Sequence, residues 1–223
     1  MAETIDTGVD GATVVVVAAH NEEDRIADTL AALAEAFPGA PVWVADDGSR
    51  DRTATVALAA GAEVAATGRD LGKGAAMTMA ARRALAANPA AGVFVLCDGD
   101  LAVALFARKV GGGFGLAVGF AACAIRRGCG LPTQAPISGQ RALTRAALEA
   151  ALPFAEGYGM EVGMTIDAVR AGARVSEIEL DLSHRASGRT VAGFAHRARQ
   201  LADFMRAYRT RRRRRRNLGA AGR

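Results

Sequence analysis

Apolar residues follow two alternating rhythms along roughly the first hundred positions of the chain. Thr13-Val14-Val15-Val16-Val17-Ala18 is a β-branched run of the kind buried on both faces of a parallel sheet. Asn21-Glu22-Glu23-Asp24 follows, supplying a cap and first-turn acids for a helix whose Ile26, Leu30, Leu33 and Phe37 recur at helical spacing. Pro38-Gly39 ends it. Pro41 to Ala45 predicts a second strand, Asp46-Asp47-Gly48-Ser49 the turn beyond it, and Asp51 the cap of a helix stopped by Gly61. Glu63 to Ala66 predicts a weaker third strand, Gly74 to Ala87 a helix, and Gly92 to Cys97 a strong fourth strand. Strands thus alternate with helices, which implies an α/β fold with a mainly parallel sheet. Ligands of such sheets sit at the strands' carboxyl ends.

The later pattern is less regular. Gly111-Gly112-Gly113 predicts a flexible loop leading into an apolar helix near Leu116 to Arg127. Pro136 to Leu143 reads as a strand or turn before a helix near Thr144 to Leu152. Met160 to Ala171 predicts a helix with Gly172 as its stop, and Val175 to Leu182 alternates like a strand. A last amphipathic helix, Val191 to Arg209, runs into an arginine tail. There is no internal repeat.

With 223 residues and 51% hydrophobic content, the chain suits one globular domain with a substantial core. Its start, Met1 to Asp6, lacks the basic segment of a secretory signal, and the apolar stretches Val14 to Ala19 and Leu116 to Ile125 are too short to span a bilayer. A cytoplasmic body is expected. Cys97, Cys123 and Cys129 are odd in number and lack C-x-x-C spacing, which argues against a disulfide framework or zinc site and for buried thiols. The net charge of +5 belongs to the tail: residues 206–223 hold nine arginines and no acid, and subtracting nine from +5 leaves −4 for residues 1–205. That tail either contacts a phosphate-rich surface, such as anionic lipid at the inner face of the membrane, or is a solvated run. The body has no basic stripe interleaved with aromatics, which counts against nucleic acid as a partner. A homodimer is compatible with all of this.

Chemistry concentrates where strands end. Asp98 and Asp100 stand one residue apart beyond the fourth strand. Asp is poor in a strand interior and costly to bury ionised, so the pair needs a turn, a partner or a metal. D-x-D alone is also common in solvated turns. It gains weight from its company: Asn21-Glu22, Asp46-Asp47-Gly48-Ser49, Gly72-Lys73-Gly74 and Asp98-Gly99-Asp100 all fall at strand ends or helix starts, which converge in a parallel sheet. The set suits a nucleoside diphosphate. Carboxylates would meet a base N–H and ribose hydroxyls, a lysine and a helix N-terminus the phosphates, and the carboxylate pair a bridging Mn²⁺ or Mg²⁺. No G-x-G-x-x-G or G-x-x-x-x-G-K-[ST] occurs, which counts against a dinucleotide enzyme or a P-loop ATPase.

The order of motifs resembles the family 2 glycosyltransferases of GT-A fold, whose pattern is V-x-x-P-A-x-N-E-E, then V-x-D-D-G-S-x-D-x-T, G-K-G and D-A-D. Here these stand as Val16 to Glu23, Val44 to Thr53, Gly72 to Gly74 and Asp98 to Asp100, with Ala18 in place of the proline and Gly99 in place of the alanine. The resemblance implies that Glu22 and Asp46 contact uridine, Lys73 the pyrophosphate or base, Asp98 the ribose side and Asp100 the metal. Ala18, Asn21, Ser49 and Gly99 complete the donor-binding set it implies.

Ser138-Gly139-Gln140-Arg141-Ala142-Leu143 resembles the S-G-F-R-A-L of polyprenyl-phosphate sugar synthases, and Gly157-Tyr158-Gly159-Met160-Glu161-Val162-Gly163 the G-Y-G-x-E-x-G of glucosyl-3-phosphoglycerate synthases. By that likeness Glu161 faces donor sugar or acceptor, and His184 of His184-Arg185 completes the metal shell. The implied divisions are an N-terminal arm (1–12), a nucleotide-sugar-binding half (13–100), an acceptor-binding half of the same domain (101–190) and a C-terminal helix with its polyarginine tail (191–223).

Two departures bear on the acceptor and the metal. Phosphoglycerate-using relatives follow the triple glycine with an arginine and a threonine and their H-R with asparagine, where this chain has Phe114, Leu116 and Ala186. The charged clamp for a small acid phosphate is lost, which favours a larger or more apolar acceptor such as a lipid phosphate. Asp100 and Gly111 are also only eleven apart, where relatives place a further helix, so Asp100 either holds the metal or begins a later strand. The expected activity is metal-dependent hexosyl transfer from a UDP-sugar, with Asp100, Lys73 and Glu161 carrying the chemistry. The rivals are a nucleotidyltransferase, which usually needs a glycine-rich loop where Ala18-Ala19-His20-Asn21 stands, and a catalytically inactive nucleotide-sugar or lipid binder.

Overall fold

The computed structural model describes residues 12–98, 116–177 and 201–212. Among the described residues five strands form one sheet in the order β3-β2-β1-β4-β5. β1 (Ala12–Ala19), β2 (Val42–Asp46), β3 (Glu63–Ala66) and β4 (Ala91–Asp98) are parallel, and β5 (Arg141–Thr144) runs antiparallel to β4. Val14 to Val17 are fully buried, as a strand covered on both faces requires. Their side chains alternate between two cores. Val15 and Val17 pack with Ile26, Leu30 and Leu33 of α1 (Ile26–Ala36) and Ala57 of α2 (Thr53–Ala59). Val14 and Val16 pack with Ala76, Met77 and Ala80 of α3 (Lys73–Ala87) and with α5 (Arg145–Ala151) and α6 (Met160–Arg170). A third cluster joins α4 (Leu116–Cys129), α6 and a helical stretch over 201–212 through Ile125, Ile166 and Phe204.

The chain builds β1, β2 and β3 outward in one direction and then places β4 on the opposite side of β1. The crevice at that reversal lies beyond the carboxyl ends of β1 and β4, where Ala18 is in register with Asp98. On β1's other side Ala19 pairs with Asp46. Two strand spacings, about 10 Å, therefore separate the ends that carry the two aspartates.

Several sequence expectations are corrected. Asn21 does not cap α1, which starts at Ile26 without a side-chain cap. It adopts φ 57° and spends its side-chain carbonyl on the Arg50 amide at 2.9 Å, because the β1 and β2 loops must be laced to each other. Thr144 caps α5 by accepting from the Ala147 amide at 3.3 Å, so β5 and α5 meet at one residue. Val175 to Glu177 are not a strand, and the rest of that predicted element, with residues 191–200 of the final helix, lies outside the described residues. Only Cys97 of the three free thiols is fully buried; burial first and Asp98 second push it up to about 12, so it is inert at neutral pH. Among the described residues no helix is long and apolar enough to cross a membrane.

Candidate active site

The β1 and β2 loops form a rigid frame at the carboxyl edge. Asp46 is almost fully buried, and its Oδ1 accepts from the Ser49 amide at 3.0 Å and from the Ser49 hydroxyl. That hydroxyl oxygen accepts in turn from the Asn21 amide at 2.9 Å. Asn21, Asp46 and Ser49, three residues expected in the donor site, are thus brought together. Glu22 is held differently: its amide donates to Thr53 Oγ1 at 2.8 Å and its carboxylate pairs with Arg25 at 3.4 Å. His20 donates from Nδ1 to the Asp47 carbonyl at 2.9 Å, since a carbonyl can only accept, and its Nε2 accepts from the Asn21 amide group at 3.0 Å. His20 is thereby part of the frame.

Asp47 does more than close the turn. Its Oδ1 accepts from the Leu71 amide at 2.8 Å, tying the β2 loop to the loop that delivers Lys73. Burial, and then the nearby Asp70 charge, raise Asp47 above the usual carboxylate value, against the opposing Leu71 amide. The folded state therefore binds the Asp47 proton more tightly than the unfolded chain does. Its contribution to stability is largest below pH 3.8 and is lost as pH rises through the folded value. Asp47→Asn keeps an acceptor for Leu71 and removes the charge. Denaturant titrations should show the wild-type stability falling relative to Asp47→Asn between pH 3.8 and neutrality; parallel profiles would refute this.

Lys73, the first residue of α3, is the centre of the site. Its ammonium lies 2.7 Å from Asp98 Oδ1 and 2.8 Å from Glu161 Oε1. Burial alone would lower its affinity for a proton, but Glu161 and then Asp98 outweigh burial and hold Lys73 above its ordinary value. It is fully charged at any physiological pH. Glu161 is 7% exposed, in the first turn of α6, so a charge there requires a partner of opposite sign. On the other side of Asp98, a Cβ at Gly139 would sit 2.1 Å from Asp98 Oδ2, so only glycine lets the 136–140 turn approach that carboxylate.

Sequence reasoning gave Arg141 no role beyond its place in a motif, yet it organises this turn. It donates to the Ser138 carbonyl at 2.9 Å, the Pro136 carbonyl at 3.2 Å and Thr165 Oγ1 at 2.7 Å, and Thr165 donates to the Glu161 carbonyl at 3.0 Å. Burial lowers the Arg141 guanidinium from its ordinary value, with Glu161 and Glu177 opposing. Glu177 steadies the preceding loop by accepting from the amides of Gln134 and Ala135 and the Thr133 hydroxyl. The signal for Arg141 was present in the Ser138-Gly139-Gln140-Arg141 run, but its partners are not local.

Gly99, Asp100 and His184 lie outside the described residues, so the two expected metal ligands are not among those the structure places. Among the described residues no group of three or more His, Cys, Asp or Glu side chains could hold a metal ion. Asp98, two positions before Asp100 in the sequence, has its Oδ1 committed to Lys73. The described site is therefore a cation held between carboxylates beneath the reversal crevice.

Residues 14–105 match glycosyl transferase family 2. No curated protein sequence is significantly similar to the chain. Among solved structures, mannosyl-3-phosphoglycerate synthase from Rubrobacter xylanophilus superposes with a TM-score of 0.68 over 92% of this chain and 74% of that one; at 22% identity this is a likeness of fold. Glucosyl-3-phosphoglycerate synthase from Mycobacterium tuberculosis in complex with UDP is 26% identical, with a TM-score of 0.63 over 90% of this chain and 80% of its own. The same enzyme with Mn²⁺, UDP-glucose and glycerol 3-phosphate is 26% identical, with a TM-score of 0.59 over 88% of this chain and 80% of that one. The five-stranded sheet with its reversal between β1 and β4, the acidic strand ends and this match agree: residues 14–105 are similar to glycosyl transferase family 2, and the described chain has the GT-A fold of these neighbouring glycosyltransferases.

Proposed function

We propose that this glycosyltransferase moves a hexose from a UDP-sugar, UDP-glucose being favoured, to a hydroxyl or phosphate acceptor. The observation that carries the reading is Lys73 held between Asp98 and Glu161 at the crevice where the sheet reverses. Residues 13–100 form the donor half and 101–190 the acceptor half. Uridine lies along Glu22, Asn21, Asp46 and Ser49, the ribose reaches Asp98, and the diphosphate approaches Lys73 and the N-terminus of α3 past Ala18 and Gly99. The bound diphosphate takes over Lys73 from its carboxylates, and the ammonium with the helix dipole offsets charge on the leaving group. Glu161, released from Lys73, orients the sugar or the attacking group and takes the proton of a hydroxyl acceptor. A divalent cation, Mn²⁺ or Mg²⁺, at Asp100 and His184 would supply further neutralisation of the diphosphate.

The glucosyl-3-phosphoglycerate synthase solved with Mn²⁺ and UDP-glucose supports this donor and metal class. Phe114, Leu116 and Ala186 favour an acceptor more apolar than a three-carbon acid phosphate, such as a lipid phosphate. A cytoplasmic protein peripheral to the inner membrane face, held by arginines of the tail, meets that acceptor.

Calorimetry with UDP-glucose and Mn²⁺ should give saturable binding. Asp98→Ala should weaken it about tenfold or more, the loss of a hydrogen bond to a charged group being worth about 1.5–3 kcal/mol. Unchanged affinity in a folded Asp98→Ala protein would overturn the assignment.

A further inference from the structure

Glu161, in the first turn of α6, directly follows a turn whose glycines are pressed against the 201–212 helix. A Cβ at Gly157, which has φ +54°, would lie 2.3 Å from Asp203 Oδ2, and one at Gly159 would lie 2.9 Å from both the Asp203 carbonyl and Ala207 Cβ. Asp203 Oδ2 accepts from the Tyr158 amide at 3.2 Å, and its Oδ1 pairs with Arg206 at 3.0 Å. Phe204, fully buried, packs the same helix into the cluster of Ile125, Val162 and Ile166. The 157–159 turn is therefore gripped by a carboxylate from a helix more than forty residues away, two to four positions before the residue that meets Lys73.

We infer that Asp203 is a positioning residue for Glu161: it holds the Gly157–Gly159 turn in the one placement that brings Glu161 Oε1 onto Lys73 Nζ. Without that acceptor the Tyr158 amide loses its bond to the 201–212 helix, the turn relaxes, and Glu161 no longer meets Lys73. The spacing of glycines in Gly157-Tyr158-Gly159 is the footprint of this helix, which must approach the turn backbone closely enough for a side-chain oxygen to reach an amide.

The test has a stability arm, independent of the donor, and an activity arm that rests on the proposed UDP-sugar reaction. Asp203→Ala should lower the melting temperature by about 4 °C in the wild-type background and by about half that in a Glu161→Gln background, where the pair with Lys73 is already weakened. A merely structural Asp203 would give equal drops in both, and that result overturns the inference. With UDP-glucose, Asp203→Ala should lower kcat about tenfold with donor KM within about twofold, and Asp203→Asn, which can still accept from Tyr158, should restore most of kcat. Unchanged kcat in the alanine variant also overturns it. If the wild-type protein leaves UDP-glucose untouched, the proposed donor fails and the melting comparison alone decides. Should Asp203→Ala not be recovered folded, Asp203→Ser is read in the same two backgrounds.

Discussion

Lys73→Ala is expected to lower turnover about 10²–10³-fold, the usual loss when one preorganised group that meets developing charge is removed. The same change should destabilise the fold. It leaves Asp98 and Glu161 facing each other without the cation that lies 2.7 and 2.8 Å from them. The cost falls between that of exposed pairs, at most about 1 kcal/mol, and that of breaking buried ones, about 3–5 kcal/mol. Lys73 and Asp98 side chains are 32% and 34% exposed while Glu161 is 10%, so about 2 kcal/mol is the expected value. Adding Glu161→Gln to the Lys73 variant should recover part of that stability, because the least solvated charge is then gone, and should recover no turnover. Denaturant midpoints and steady-state rates measure the two effects separately. A Lys73→Ala protein with wild-type rates would remove Lys73 from the reaction.

Arg211→Ala should be the most destabilising single change in the C-terminal region, by about 3–5 kcal/mol. Arg211 opens the six-arginine run, yet its side chain is 5% exposed. Its Nε and Nη2 both lie 2.6 Å from Asp167 Oδ2, and Nε also donates to the Gly163 carbonyl at 3.1 Å. Its own carbonyl accepts from Arg170 at 3.0 Å, and Arg170 in turn donates to the Gly128 carbonyl at the end of α4. Removing the guanidinium breaks its pair with the largely buried Asp167 carboxylate and opens the space over Gly163, where a Cβ would touch the Arg211 guanidinium carbon at 2.6 Å. Arg211→Lys should recover little, because one ammonium cannot reproduce a planar fork with several donors. Arg212→Ala, at an exposed position, should change stability by less than about 0.5 kcal/mol. Equal denaturant midpoints for the Arg211 and Arg212 variants would mean that the 201–212 helix is not anchored on α6.

Arg211 also shows where the reading of the chain alone fell short. As one arginine among nine near the end it belonged to a basic tail, and composition offers no means of telling a core guanidinium from a solvated one. Asn21 misled for a related reason: Asn before an acidic turn is a fair cap signal, but its carbonyl had a better partner in Arg50, 29 positions on. The first four strands, by contrast, were legible nearly residue for residue. Glu63–Ala66 is β3, and Gly92 to Cys97 lies within β4. Each motif residue among the described positions lies on the expected strand end or helix start.

Periodicity and turn chemistry act over a few residues, so β-branched runs, acidic strand ends and glycine stops declare an alternating α/β chain and the loops that carry its polar groups without reference to anything distant. Which of those groups meet is a different matter, because it depends on chain reversals that no local preference encodes. Lys73 and Glu161 are 88 positions apart and Asp203 lies beyond both, so the charged centre, the Asp203 grip on the 157–159 turn and the burial of Arg211 exist only once the sheet, α6 and the last helix have packed. Desolvation makes those pairings obligatory, since each charge taken from water in the folded core must find its partner there.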